Sequence, residues 1–591
     1  MDVGKFINTN SNYSPKFQIQ HSIIGVIKKI AGLDLTLNDF VVEYPENEQF
    51  GDYATNVALV LSGRVKQPAI ALAQKIVKEL SSNIAFKKLF KAQVKKPGFI
   101  NISINNKWFI SNIKRVIRDS NEFGKLQATQ AKKIMIEYAH PNTHKLFHIG
   151  HLRNITNGEA IARILQAVGC KVIRANYQGD VGLHIAKCLW AIKKWQTDLD
   201  SLKTLDEKIE FLGKAYVEGN RACENDENAK KEISKINRQI YDQDSEIKDL
   251  WQVTRQWSLD YFERIYKRVD TRFNRYYLES EVAEKGKKIV LDNIKKRIFE
   301  KSKGAIIFPG SKYGLHDRVF ITGEANPTYE AKDMELGRLQ FEEYNPDLII
   351  HNVGPEQAGY FKVLFKALEK VFPKTKDKEF HLAYGSVKLK KGKMSSRQGN
   401  VITGEWLLDK TKQKIQKAFP EIDDKTAESI AVGAVKYSFL KVGPSTDVAF
   451  DFEESISLQG NSGPYLQYTY ARTQSILRKS QISQPKDGQA NLKSQKNSHC
   501  SSVFVDCFPN SEEQAILRWI YRFPEVVLES AKSLSPNLIG NFLYELAQKY
   551  NTFYNKHRVI GNDLRLGLTM ATAKIIKNGL YLLGIKAPVK M

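Results

Sequence analysis

Residues 132–158 read KKIMIEYAHPNTHKLFHIGHLRNITNG, and the fold turns on this stretch. It opens on an apolar run, Ile134-Met135-Ile136, of the kind that makes a buried strand. A Pro141-Asn142 turn follows. Then comes a helical pattern with Leu152, Ile155, Ile161, Leu165 and Val168 on one side and Gly169 as its stop, which predicts an amphipathic helix. At the junction His148 and His151 bracket Ile149-Gly150. A helix N-terminus presents unpaired backbone N–H groups and partial positive charge, a ready site for phosphate. Gly150 leaves room for a flat ring against the backbone, both imidazoles can donate to developing negative charge, and Lys145 adds a mobile cation.

Downstream, KVIRANYQGDVGLHIA supplies a second strand and a glycine-bearing turn, the βαβ order of a doubly wound parallel sheet. Asp180 in that turn either helps to place a nucleotide or shapes the turn beside Gly179. From about 190 to 300 the chain is highly charged and helical in pattern, which reads as an insertion with solvated faces. Strands return at 304–309 and 316–322. In Pro327-Thr328-Tyr329-x-x-x-Asp333 a helix would put Tyr329 and Asp333 on one face, suited to a cation. DLIIHNVGPEQAGYF then gives a strand, a Gly354-Pro355 turn and a helix with Gln357 at its mouth. The loop YGSVKLKKGKMSSRQGNVIT (384–403) offers Gly392, Lys393, two hydroxyls and Arg397, which can close over a triphosphate. An exposed basic loop facing RNA is the alternative reading.

The chain ends are organised differently. Residues 1–118 mix helices, split near Gln67-Pro68, with a strand at Phe99, Ile100, Ile102 and Ile104 after a Pro-Gly turn. The polar run 119–131 reads as a linker, and 481–499 as a solvated loop. Residues 425–480 are helical in pattern. The last helices begin where Ser535 as N-cap and Pro536 as first residue open a helical run that Gly561 closes. Its stripe is Ile539, Phe542, Leu543, Leu546, Tyr550 and Phe553, and its end, Tyr554, Lys556, His557 and Arg558, is basic.

A length of 591 residues implies roughly three or four domains. A net charge of +25 and a pI near 9.5 favour a polyanionic partner. Five cysteines without a Cys-x-x-Cys pair argue against structural zinc and a disulfide framework, and fit a reducing compartment. With no apolar run near the ~20 residues that cross a bilayer, and neither a secretory nor a clear transit pattern at the N-terminus, a soluble cytoplasmic protein without membrane contact is expected.

The His-Ile-Gly-His box resembles that of the class I aminoacyl-tRNA synthetases, and Pro141-Asn142-x-x-Lys145 narrows the resemblance to the arginyl family. Lys393-Met394-Ser395-Ser396-Arg397 is similar to that family's Lys-Met-Ser-Lys-Ser loop in a variant form. The resemblance covers nearly the whole chain, weakest at 190–250 and 481–505. It implies an α/β multidomain protein. Residues 1–118 would be an α+β unit touching the tRNA D-loop through Phe99 and Asn101. A Rossmann-like catalytic domain would span 132–410 with its insertion at about 190–300, then linking helices 411–450. An all-α anticodon-binding bundle would fill 451–591, with Tyr554 and Met591 near the anticodon. It further implies ATP with Mg²⁺, arginine and tRNA(Arg) as partners, and a monomer. His148, Gly150, His151 and residues 393–397 would hold ATP; Lys145, His148, His151 and Lys393 would be catalytic. Glu137, Asn142, Tyr329, Asp333 and Gln357 would take arginine. Small-molecule nucleotidylyltransferases also carry His-x-Gly-His, but need neither the second loop nor the C-terminal helices. A cysteinyl enzyme would require zinc ligands, and a non-catalytic RNA-binding paralogue would have lost the site.

Overall fold

The computed structural model describes residues 3–7, 14–196, 199–390, 402–482 and 509–591. Its centre is a five-stranded, wholly parallel sheet in the order Glu379–Ala383, Leu348–Val353, Lys133–Glu137, Lys171–Gln178, Arg275–Leu278. Residues 134–137 are all buried, as a strand covered on both faces requires. From Glu137 the chain crosses by the helix Ile149–Ala167 to Lys171–Gln178 on one side, while Leu348–Val353 lies on the other. The strand order therefore reverses beside Glu137. In open α/β sheets the crevice beyond the strand C-termini at such a switch point is where ligands bind.

The helix Ile149–Ala167 departs from its expected amphipathic form, for it is buried on every side. It packs against the helices Asp424–Leu440, Ser511–Ser533 and Asp563–Leu582 as well as the sheet. Its polar residues are therefore paired internally. Arg153 donates to the carbonyls of Ser386, Pro444 and Thr446. Asn157 donates to Asn352 Oδ1 at 2.9 Å. Glu159 accepts from Tyr138 and Thr271 (2.8 Å each), Arg163 (2.7 Å) and Arg174 (2.9 Å). Gly169 follows at φ +86°, ending the helix where expected.

The charged stretch from 190 holds the helices Leu205–Asn225, Glu227–Tyr241 and Ser245–Arg268, which share an apolar core around Leu212, Ile233 and Ile240 with the helix Leu183–Trp195. The same stretch also contains Arg275–Leu278, an edge strand of the parallel sheet. The strands Glu300–Ser302, Ala305–Phe308 and Arg318–Ile321 form a separate antiparallel sheet. The N-terminal residues make a four-stranded antiparallel sheet in the order Val42–Glu43, Tyr53–Thr55, Phe99–Ile104, Phe90–Lys95.

The run 119–131 is polar in sequence yet docked. Phe123 is buried and stacks on Phe523 with ring centres 6.3 Å apart. Glu525 on the helix Ser511–Ser533 accepts from Ser14 Oγ (2.5 Å), Tyr53 OH (2.9 Å) and Tyr44 OH, which joins the N-terminal unit to the C-terminal helices. The helix expected from Ser535 runs Asn537–Lys556, so Pro536 is its cap and Ser535 lies outside, and a further helix, Asp563–Leu582, follows it. The former also stops short of Gly561, because His557 turns into extended backbone.

Candidate active site

The histidine corner differs in one respect from the sequence expectation. His148 is the N-cap, and its Nδ1 accepts from the backbone N–H of Gly150 (3.1 Å) and His151 (3.4 Å). His151 Nδ1 accepts from the His148 N–H at 3.2 Å, and Ile149 N–H donates to Ile402 O at 3.0 Å. The first three amides of the helix are thus already satisfied, two by the His148 ring and one by the Ile402 carbonyl. What faces outward is the other side of each ring. Burial, reinforced for His148 by Lys145 and for His151 by His148, His140 and Lys145, holds both imidazoles below their ordinary pKa. A neutral ring whose Nδ1 accepts must carry its proton on Nε2, so both residues present fixed N–H donors. The rings stack with centres 3.8 Å apart. Gly150 is required by this arrangement, since a Cβ there would lie 2.8 Å from His148 Cε1. The flat ring lying against Gly150 is that of His148. Lys145 is half-buried with its Nζ 5.4 Å from the Tyr216 ring centre. Burial and Lys187 push its pKa down.

Residues 391–401, and with them Lys393, Met394, Ser395, Ser396 and Arg397, lie outside the described residues. Both flanks of that segment are tied to the histidine corner. His148 and Thr403 form an antiparallel bridge, and Gly404 N–H donates to Phe147 O at 2.8 Å. On the other flank, Ser386 O receives Arg153 from the first turns of the same helix.

Beside the corner is an acidic pocket. The helix Tyr329–Tyr344 carries Tyr329 at its exposed first position and Asp333 one turn on. Asp333 Oδ2 accepts from Tyr360 OH at 2.5 Å, while its buried Oδ1 has no partner among the described residues. Burial, with Glu137 and Glu279 nearby, outweighs the Tyr360 hydrogen bond and pushes its carboxyl up to about 7. Glu137 is buried, accepting from Gln340 Nε2 and paired with His351 at 3.2 Å. Burial opposes its charge, but His351 and His140 hold it below the usual carboxylate range. His351, also 2.7 Å from Glu379, is raised to about 10 against burial and stays an imidazolium. Asn142 bridges to Gly179, where a Cβ would sit 2.2 Å from Asn142 Oδ1 and 3.2 Å from Glu279 Oε1. Gln357 is half-buried in the short turn Pro355–Gln357, one helical turn before Tyr360.

Several residues here were not anticipated. Glu279 begins the helix after the edge strand and pairs with Lys332 at 2.7 Å, both buried. The Tyr177 hydroxyl is buried without a partner among the described residues. Tyr360 had a sequence signal in its spacing of three from Gln357. Glu279 and Lys332 had none: the first lies in the charged stretch, where a carboxylate looks solvated, and the second is a lone lysine between Tyr329 and Asp333 that looks equally so. Fixed cations offset two of the pocket's carboxylates, His351 for Glu137 and Lys332 for Glu279, while Asp333 has only the Tyr360 hydroxyl. One uncompensated carboxylate with a free, buried oxygen is a site for one added cation. Asp180 resolves toward structure: it is fully buried, 2.8 Å from Arg255, and accepts from Ser280 N–H and Oγ, so it anchors the start of the Glu279 helix.

Two further predicted positions lie on surfaces, and both are exposed rather than core. Phe99 is 36% exposed on the outer face of the N-terminal sheet, with Asn101 half-buried on the same face. Tyr554, 37% exposed, and Met591 line one cleft of about 1080 Å³ with Arg472, Lys479, Arg558 and Lys590. There the Arg472 guanidinium lies 4.9 Å from the Tyr468 ring centre and 5.2 Å from that of Tyr554.

Residues 112–452 match the family model described as tRNA synthetases class I (R), catalytic domain. Residues 18–104 match the arginyl tRNA synthetase N terminal domain, and 466–591 the DALR anticodon binding domain. The arginine–tRNA ligase of Borreliella afzelii is 32% identical over 609 residues, covering 99% of this chain and all of the relative. That of Parabacteroides distasonis is 30% identical, covering 97% and 99%. The fold is that of the arginyl-tRNA synthetases of Thermus thermophilus (TM-score 0.77, 22% identity, 98% and 100% covered) and Plasmodium falciparum (TM-score 0.76, 20% identity, 99% and 100% covered). With its switch-point histidines and its acidic pocket, the chain belongs to the arginyl-tRNA synthetases of class I, enzymes that ligate arginine to tRNA.

Proposed function

We propose that the pocket around Asp333 takes the arginine side chain, and that the chain joins arginine to tRNA(Arg) in two steps. In the first, an arginine carboxylate oxygen attacks the α-phosphorus of ATP and the bond to pyrophosphate breaks, giving arginyl-adenylate. In the second, a hydroxyl of the terminal tRNA ribose attacks the arginyl carbonyl and AMP leaves. ATP enters as its Mg²⁺ complex, with the metal arriving on the phosphates.

The observation that carries this reading is the adjacency of two fixed Nε2–H donors and one uncompensated carboxylate with a buried, unpartnered oxygen at a topological switch point. His148 and His151 donate to the non-bridging oxygens of the α-phosphate as charge gathers there. Gly150 keeps the His148 ring in place and lets the nucleotide approach. Lys145, Lys393 and Arg397 neutralise the departing pyrophosphate, with Met394, Ser395 and Ser396 in the loop that closes over ATP. The attachment of that loop's flanks to His148 and Arg153 supports this. Asp333 pairs with the guanidinium beside Tyr329, and Glu137 and Glu279 add acceptors. Asn142 and Gln357 hold the amino-acid backbone. Phe99 and Asn101 meet an unpaired base of the tRNA D-loop, and Tyr554 and Met591 the anticodon. Lysine is excluded because a point-like ammonium cannot fill acceptors spaced for a planar fork. We also infer the division 1–118, 132–410, 411–450 and 451–591, a monomer, and a cytoplasmic site of action. Among the described residues no helix is long and apolar enough to cross a membrane.

Charging a tRNA pool with each amino acid in turn tests the reading: arginine alone is expected to be attached. Arginine-dependent ATP–pyrophosphate exchange is expected to need tRNA. A comparable rate without tRNA refutes that part.

A further inference from the structure

The N-terminal sheet has two unlike faces. Ile100, Ile102 and Ile104 point into the core. In register on the other face stand three cross-strand pairs, Lys91 with Ser103, Gln93 with Asn101 and Lys95 with Phe99. None of these six is acidic. Lys91, Gln93, Lys95 and Phe99 are exposed. At the end of this face lies Phe50, 40% exposed, with Lys95 Nζ 5.2 Å from its ring centre.

Phe50 is held there by the backbone. The next residue, Gly51, has φ +93°, and a Cβ on it would lie 2.8 Å from Ile102 O. Asp52 N–H donates to Ile102 O at 2.8 Å, and the buried Asp52 carboxylate accepts from Ile104 N–H at 2.7 Å. The turn is therefore stitched to the strand Phe99–Ile104 twice through Asp52, and Phe50 N–H donates to Asn47 O at 3.0 Å, which together hold Phe50 at the end of this face. A singly exposed ring needs no explanation. Two rings flanking one lysine, beside a pair of amides with no acid nearer in register than Glu43, two strands away from Asn101, match what single-stranded nucleic acid requires: stacking surfaces, a phosphate cation and edge-reading groups.

We propose that this face takes two unpaired tRNA bases, one on Phe99 and a second on Phe50, with Lys95 on the phosphate between them and Gln93 beside Asn101 reading base edges. This rests on the function proposed above and extends the contact expected of Phe99 and Asn101.

The test uses the full chain and a tRNA(Arg) transcript, with binding measured at fixed salt and then across a salt series. Phe50→Ala is expected to weaken binding by roughly 5- to 150-fold, the range for loss of one base–aromatic stack, while Phe50→Trp keeps wild-type affinity. Lys95→Gln should reduce the slope of log K against log salt by about 0.7, as for one phosphate contact on a single strand. The arginine and ATP KM values should not move in any of the three. Wild-type affinity in Phe50→Ala beside weak binding in Phe99→Ala overturns the second stack. Equal losses in Phe50→Ala and Phe50→Trp overturn stacking as the mode. Unchanged binding in both Phe50→Ala and Phe99→Ala removes RNA from this face altogether. A wild-type chain that charges no tRNA would instead sink the underlying function, a separate readout.

Discussion

Arginine binding should depend on pH through Asp333. The ligand-free carboxyl titrates at about 7, against an ordinary value of 3.8. It faces Glu137, Glu279, His351, Tyr177 and Tyr360, of which Tyr360 and His351 lower its pKa and the two glutamates raise it. A guanidinium pairs with the ionised form, so binding expels the proton. Apparent affinity then follows the ionised fraction, roughly nine-tenths at pH 8 and one-tenth at pH 6, and the arginine KM should rise about tenfold over that range. His351 stays charged to about 10, and His148 and His151 are held below their ordinary value, so these three should contribute little to that span.

The assay is the KM for arginine with ATP and tRNA saturating. Asp333→Asn should weaken binding and flatten the profile. Tyr360→Phe, which removes the hydrogen bond holding the pKa down, should move the midpoint above 7. The same carboxylate also strains the fold. Because its folded pKa is raised, it costs nothing below pH 3.8 and most above 7, about 4 kcal/mol from the shift of roughly three units. Asp333→Asn should therefore melt higher than wild type at pH 8 and alike near pH 3.5. A wild-type KM flat from pH 6 to 8, or a slope that survives in Asp333→Asn, refutes the reasoning.

Two other outcomes follow from the site. His151→Ala should lower the rate of adenylate formation by about 10²–10³, the usual loss for one donor to developing charge, with little change in the arginine KM. Gly150→Ala should do the same by displacing the His148 ring it would meet at 2.8 Å; single-turnover pyrophosphate release reads both. In the buried network, Glu159 is held at about 2, burial opposing and Arg174 and Arg163 prevailing. Its folded pKa is depressed, so its stabilisation of about 3 kcal/mol is present above pH 4.5 and lost as pH falls toward 2. Glu159→Gln should destabilise the chain at pH 7 and lose less stability on acidification, as urea melts at pH 7 and 3 would show.

The strand, turn and helix of residues 133–169 were legible because their signals are local: an apolar run, a Pro-Asn turn and a glycine stop. So was the Tyr329–Asp333 face, one turn of one helix. Two other features were not. The polar side of the helix Ile149–Ala167 looked solvated, since nothing nearby in sequence says that Asn157 bonds Asn352, or that Arg163 reaches the carbonyls of Asp270 and Tyr581. The helix start looked like a bare anion site, because local rules count its amides as unpaired until a side chain is placed on them. That side chain was His148, a residue not among the usual caps.

These two misreadings have one physical origin, and together they explain how the corner keeps its geometry. A phosphate bound to bare amides would sit wherever a mobile helix end allowed. Here the amides hold the imidazoles, and the imidazoles are left with one outward donor each. The helix behind them is fixed along its length by side chains reaching the sheet, Ser386 just before the strand Val387–Leu389 that leads to the second loop, and the C-terminal helices. Moving the histidines would require breaking buried, charged hydrogen bonds on Arg153, Glu159 or Arg163, each far more costly than a surface contact. Position is what the proposed chemistry asks of the protein, because its two steps form no covalent intermediate with the enzyme and draw their rate from donors already aimed at the reacting phosphate. The buried polar face of the helix, whose side chains bond to the protein's own groups, is the part of the structure that supplies that aim.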